Sequence, residues 1–367
     1  MALVKGKVED GHRDLRAIYA GDELTQDNLL QFQFPAAYNF KDVVGIPEED
    51  QAHSRGLDVL VILIRRIVRQ LPLAYRDMED ETIRRQEKTN PLLRLAMADF
   101  SSTDPQLVQL ARFEALKAFY EGPLREKDLS FAALVEHQLM RKTFWQRPGL
   151  LLLKQEVLVR EKGVWKKGSL DIQDIVENSL VDFTTGNLGE VISNRFGTFG
   201  DADDNVLVKQ CGFPGIIRIR YNVNASDPKR YQDLRKIKVD MRRPEKKASG
   251  MWGLTEPSAA LTTFRLIAEV RLSSYRGHDS IRTYTAEGQV IPIPSSLPNT
   301  HRRTPLGDDD CYMLYYAQGV DDIPGEDMYS ETPSNFSTLK ASILHDAAHA
   351  NFGEPPHQQA SKHEANR

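Results

Sequence analysis

The sequence predicts an α+β fold in which a helical half comes first and a half built of antiparallel strands follows. Three observations predict it. From residue 57 to about 145 apolar residues recur at helical spacing; beyond Pro148 they alternate with a period of two. The strand-like segments are separated by two long polar, turn-rich excursions, so the sheet half carries insertions.

Residues 1–50 are polar with scattered aromatics, and "QFQFPAAYNFKDVVGIPEEDQ" reads as an extended lead-in. The run "LDVLVILIRRIVRQL" at 57–71 is the most apolar in the chain, yet Arg65, Arg66 and Arg69 interrupt it. A membrane span needs ~20 apolar residues, so this run is expected to be a buried element of a soluble fold. "TDPQLVQLARFEALKAFYEGP" predicts a helix. Thr103 or Asp104 is placed to cap it, Pro105 suits its first turn, and Gly122-Pro123 stops it. Leu107, Leu110, Phe113, Leu116 and Phe119 or Tyr120 form its expected apolar stripe. "DLSFAALVEHQLMRKTFW" predicts a further helical stretch.

Past Pro148 the strands begin. "LLLLKQEVLV" and "GVWKKGSL" predict a pair joined at Gly163, and Ser169 is placed to cap a short helix in "LDIQDIVENSL". Residues 186–210, rich in Gly, Asp and Asn, are expected to be one excursion and "RRPEKKASGMWGLTEPSAA" the other. Strands are expected at "GIIRIRYNV", "RKIKVDM", "TTFRLIAEVRL", "DSIRTYT" and "CYMLYYAQ". In the first of these Ile217, Ile219 and Tyr221 alternate with Arg218 and Arg220, the pattern of a strand with one solvated face. After Gln318 periodicity is lost. The expected organisation is a lead-in (1–50), one domain (51–318, helical part 51–147 and sheet part 148–318) and a disordered tail (319–367).

Of the 367 residues 40% are hydrophobic and 27% charged, enough for a sizeable core and an ordinary soluble surface. A net charge of −4 gives no global attraction for nucleic acid or an anionic membrane, and neither is an expected partner. The N-terminal residues lack the apolar core of a signal peptide, and two cysteines cannot build a disulfide framework. The expected location is intracellular, in cytoplasm or nucleus. The triplets Asn224-Ala-Ser226 and Asn335-Phe-Ser337 carry no weight without secretion.

Four pieces in order carry a resemblance. "CGFPGIIRIRYN" is followed by "RKIKVDMRRP"; then Phe264, Leu266, Ala268 and Val270 alternate along a strand that leads to Gly277-His278; then Tyr312, Met313, Leu314, Tyr315 and Tyr316 form a last aromatic strand. This order, over about residues 165–318, resembles the ubiquitin-specific proteases, papain-like cysteine peptidases that cleave ubiquitin conjugates. The resemblance implies a papain-like fold with the helical half packed on the sheet. It also implies ubiquitin or a ubiquitin-like protein as partner, with an extended tail running toward His278.

The chemistry of that family needs a cysteine at the start of the first buried helix, where the helix N-terminus and a nearby imidazole lower the thiol pKa. Here "EEDQAHSRGLDVLVILI" has no cysteine, and matching the leucines places Ser54 at the nucleophile position. A serine hydroxyl is not ionised by such neighbours. The family's third group, an Asp or Asn beyond the histidine, has only Ser295, Ser296 or Asn299 as counterparts, and Asp279 stands where the family has a tyrosine. Cys211 and Cys311 are expected to be small buried apolar residues. His278 is accordingly expected to be a relic or an ordinary loop residue, a working base being the competing reading.

No cofactor is expected, and no metal. His345 and His349 have i, i+4 spacing, but Asp346 replaces the glutamate of the metallopeptidase motif; Asp308–Asp310 reads as a solvated turn. The expected function is a ubiquitin-specific-protease-like domain without peptidase activity, a binding or scaffold module. Two alternatives stay open: a deubiquitinating peptidase with a rearranged site built on Ser54, Cys211 or Cys311, and an unrelated α+β interaction module. Oligomeric state is left undetermined.

Overall fold

The longest helix forms where the apolar run is strongest. In a computed structural model, residues 14–18, 46–50, 55–71, 80–98, 105–200, 206–241, 244–246, 252–254, 261–272, 279–285, 288–291, 311–321 and 323 are described. The first short helix, α1 (Leu15–Ile18), lies within the expected lead-in, with Arg16 paired to Asp14 and Glu87. Helix α2 (Arg55–Gln70) is buried on nearly every side, its charged residues Arg55, Asp58, Arg65 and Arg66 included. Its arginines reach polar groups from inside: Arg65 donates to the carbonyl oxygens of Ala96 (2.6 Å) and Ala98 (2.7 Å).

Helices α3 (Glu81–Thr89) and α4 (Pro91–Met97) meet at Asn90, which ends one and caps the other, its Oδ1 accepting the Leu92 N–H. Helix α5 (Pro105–Lys117) forms where predicted, but its buried side differs from the expected stripe. Leu116 and Phe119 are buried as expected and Leu110 and Phe113 pack partly buried against the core, but Leu107 is 53% exposed while Val108, Arg112 and Ala115 turn inward. The inward place of Arg112 is set by an ion pair that periodicity of apolar residues does not register. The expected caps Thr103 and Asp104 lie outside the described residues. The stretch predicted as one helix is two, α6 (Phe131–Val135) and α7 (Gln138–Thr143), divided at His137, whose Nδ1 accepts the Leu139 N–H and starts the second.

Strands β1 (Leu153–Glu161) and β2 (Val164–Ser169) form the predicted hairpin; Lys162 and Gly163 both take positive φ (48° and 81°), the requirement of a tight two-residue turn. Helix α8 (Ile172–Asn178) is capped by Asp171, which accepts the Gln173 N–H, and not by Ser169. The expected excursion at 186–210 is largely structured: after β3 (Leu180–Phe183) it holds α9 (Leu188–Ser193), β4 (Gly197–Gly200) and most of β5 (Val206–Cys211). Next come β6 (Ile216–Asn222), α10 (Tyr231–Leu234) and β7 (Lys236–Asp240). The second excursion contains a small hairpin, β8 (Pro244–Lys246) and β9 (Trp252–Leu254). Strands β10 (Leu261–Leu272), β11 (Ser280–Thr283) and β12 (Cys311–Gln318) complete the sheet half.

The fold is α+β, with the strands in two main sheets and not one. The larger runs β11-β10-β12-β6-β3, with β7 also paired to β10; the other runs β2-β1-β5-β4. Pairing is antiparallel except between β3 and β6, which run parallel, so the larger sheet is mixed. Its two faces are both covered. Ile267, Val270, Ile281, Met313 and Tyr315 pack against the helical half; Phe264, Leu266, Tyr312, Leu314 and Tyr316 pack against α9, α10 and their loops.

This two-sided burial overturns one expectation. Arg218 on β6 is buried, not solvated. Its guanidinium lies 4.2 Å over the Trp145 ring and donates to the Val176 carbonyl (2.8 Å) and to Glu136 (3.3 Å).

Candidate functional site

Two of the residues singled out from sequence, Ser54 and His278, lie outside the described residues, as do Ser295, Ser296, Asn299, His345 and His349. Each of the first two is bonded to a described neighbour, Arg55 at the start of α2 and Asp279 before β11. The fold brings these two starting points to one junction.

The junction is built on the backbone of Leu129–Phe131. That segment is braced locally: Tyr120 donates its hydroxyl to the Asp128 carbonyl (2.7 Å), Asp128 accepts the Ser130 N–H, and Ser130 Oγ accepts the Ala133 N–H. Helix α2 approaches it at Gly56. A Cβ on that residue would stand 2.2 Å from Leu129 O and 2.5 Å from Phe131 N, closer than any side chain permits. From the sheet side, the buried Asp279 accepts the Phe131 N–H through Oδ2 at 2.8 Å. Gly56 and Asp279 therefore flank the same amide. Strand β11 is held behind it by the cross-strand pair of Glu269 on β10 and Arg282 on β11, whose buried side chains are 3.3 Å apart.

Below the first turn of α2 sits a buried ion pair, Asp58 Oδ1 to Arg112 Nη2 at 2.8 Å. Burial raises the Asp58 carboxyl to about 7, against the opposing pull of Arg112 and Arg55. Carboxylate and guanidinium from different helices thus join α2 to α5 close to the junction.

Neither cysteine is at the α2 N-terminus. Cys211 ends β5, is buried as expected, and accepts the Phe213 N–H at 3.4 Å. Burial raises its thiol to about 11, so it is protonated at neutral pH. Cys311 is half-exposed rather than buried, a correction to the expectation for this residue. It opens β12 opposite Leu272, while Ser280 pairs with Arg271 on the far side of β10. Two strand spacings put Cys311 and Ser280 about 10 Å apart. The histidine among the described residues, His137, caps α7 and stands against the rings of Phe119 (5.1 Å) and Tyr120 (5.2 Å). Burial lowers its pKa, which suits its role as an acceptor.

A cleft of about 500 Å³ lies at the other end of β10, between Phe183, Leu188, Leu234, Ile237 and the lysines 229, 236 and 238. Lys229 is paired with Asp227 and Lys238 with Asp321. Among the described residues no cluster of metal-binding side chains occurs, and no helix is long and apolar enough to cross a membrane.

Sequence reasoning noticed Asp279 only as a departure from a motif and missed Gly56. The signal for the glycine was present: a glycine in the first turn of an otherwise good helix marks a close approach.

No protein-family profile matches the chain, and no curated protein matches it. Among solved structures it is similar to the SAGA Ubp8/Sgf11/Sus1/Sgf73 DUB module, with a TM-score of 0.35 and 8% identity over 80% of this chain and 69% of that one. It is also similar to the Saccharomyces cerevisiae PAN2 pseudoubiquitin-hydrolase-RNase module, with a TM-score of 0.29 and 9% identity over 76% of this chain and 54% of that one.

Proposed function

We propose that residues 51–318 form a papain-like, ubiquitin-specific-protease-like domain without peptidase activity, an intracellular module that engages ubiquitin or a ubiquitin-like protein. The observation that carries this reading is the junction itself. The N-terminal turn of the long buried helix and the start of β11 meet across the Phe131 amide, the arrangement a thiol–imidazole pair of this type requires. No cysteine precedes that helix, and the Cys211 thiol is protonated and belongs to the other sheet. A thiolate nucleophile is the element missing from the machinery, while the scaffold that would receive an extended tail is kept.

Two measurements test the reading. A ubiquitin-derived electrophilic probe should leave the folded protein unmodified, and titration calorimetry with mono-ubiquitin and with ubiquitin chains should show binding. Absence of binding up to millimolar ubiquitin would remove the partner and leave a scaffold of other specificity. A second reading, a peptidase with a rearranged site, draws on the half-exposed Cys311 at the same end of the sheet as the start of β11. It requires a probe adduct that maps to Cys311.

A further inference from the structure

The sheet β2-β1-β5-β4 ends on one side at β4, where β9 lies alongside, and on the other at β2. Among the described residues no strand pairs with the outer edge of β2, which leaves a row of backbone N–H and C=O groups without a ladder. The strand is also uncovered. Each of its six residues is exposed or half-exposed, with Val164 at 59% and Trp165 half-exposed beside it. An open edge of this kind fits one shape of protein ligand, another extended backbone.

Charge selects the composition of that ligand. Residues 153–169 carry five basic and two acidic side chains, in a chain whose net charge is −4. On β2 itself the charges are Lys166 and Lys167, consecutive residues and so one on each face of the sheet. Lys166 lies 3.1 Å from Glu161 in an exposed pair, which holds it weakly. Lys167 stands opposite the apolar Leu158 on β1. Lysines on an edge also deter unwanted pairing, and a second copy of the chain is one such partner. In the symmetric antiparallel register it would set lysine directly opposite lysine, which is destabilising.

We propose that the outer edge of β2 is a docking site for an extended acidic segment of a partner protein, which adds to this four-stranded sheet as a further strand. Antiparallel addition is the commoner arrangement, and it fixes the order of residues in the segment. Two small polar residues face Ser169 and Gly168, two consecutive acids face Lys167 and Lys166, and two apolar residues face Trp165 and Val164. Side chains alternate between faces, so each face of the added strand makes one ion pair and one apolar contact. The proposal is independent of the junction and of ubiquitin binding.

The probe is the peptide Thr-Thr-Glu-Glu-Val-Val, blocked at both ends and titrated into the full chain, with amide exchange read along Val164–Ser169. It should bind and slow exchange in that strand. Thr-Pro-Glu-Glu-Pro-Val keeps the charge but cannot continue a ladder, and should bind at least about tenfold more weakly. A peptide with lysine in place of glutamate should not bind wild type but should bind the double variant Lys166→Glu, Lys167→Glu, in which the charges are exchanged at exposed positions. Should the double variant fail to fold, Lys167→Glu alone decides: it should weaken the acidic peptide at least about threefold, and unchanged affinity overturns the proposal. Three further results overturn it. The acidic peptide may show no binding at about 1 mM. The two acidic peptides may bind equally, which would mean attraction of charge without strand pairing. Protection of Val164–Ser169 may rise with protein concentration in the absence of peptide, which would make a second copy the occupant.

Discussion

Asp58 and Arg112 face each other at 2.8 Å with both side chains out of reach of water, and they join α2 to α5. Removing one member of such a pair leaves the other buried without its countercharge. Asp58→Ala should therefore destabilise the protein by ~3–5 kcal/mol, read from urea unfolding.

The same carboxyl makes stability depend on pH in a stated direction. Its folded pKa is raised from the ordinary 3.8 to about 7, so the folded state holds its proton where the unfolded state has released it. The stabilisation is complete below about pH 4 and is lost as pH rises through about 7. Subtracting the pH profile of Asp58→Asn from that of wild type should isolate this slope. A difference profile that rises with pH over the same window would contradict the assignment.

Gly56→Ala places a methyl group against Leu129 O and Phe131 N, both backbone atoms that cannot swing aside. The expected loss is ~1–3 kcal/mol or more, since overpacking here displaces a helix end. Gly122, with open space around its Cβ position apart from the flexible end of Lys127, serves as a control for sterics, although its positive φ of 79° adds strain of its own.

Arg218→Met keeps the packing on Trp145 but removes the donor to the Val176 carbonyl and the cation over the ring. Together these predict a loss of ~2–4 kcal/mol by thermal or chemical unfolding. A solvated arginine, the reading its alternation suggested, would cost next to nothing on replacement.

The two thiols should separate by reactivity. Cys311 is half-exposed and should react with a disulfide reagent in the folded protein; Cys211, buried with its thiol raised to about 11, should react only on unfolding. Mapping the labelled peptides after a timed exposure at pH 7.5 measures this. Labelling of Cys211 at the faster rate would show that its strand end opens.

The sequence by itself determined the order of the elements, because hydrophobic period is a local property. The run 57–71 reads as helical and forms a buried helix, and "TTFRLIAEVRL" and "CYMLYYAQ" read as strands and form them. The absence of a cysteine before the first buried helix was equally plain, since it needs no geometry. Tertiary structure decided the rest where burial and polarity disagree. Arg218 reads as a surface residue and Arg112 stands outside the expected apolar stripe, yet both lie inside, because Trp145, Val176 and Glu136 in one case and Asp58 in the other supply the partners a buried guanidinium needs. The parallel pairing of β3 with β6 and the division into two sheets follow from which strand edges the chain leaves free, a long-range matter. The junction belongs to the same class. Gly56, Phe131 and Asp279 are far apart in sequence and meet at a backbone amide, which no side-chain pattern encodes.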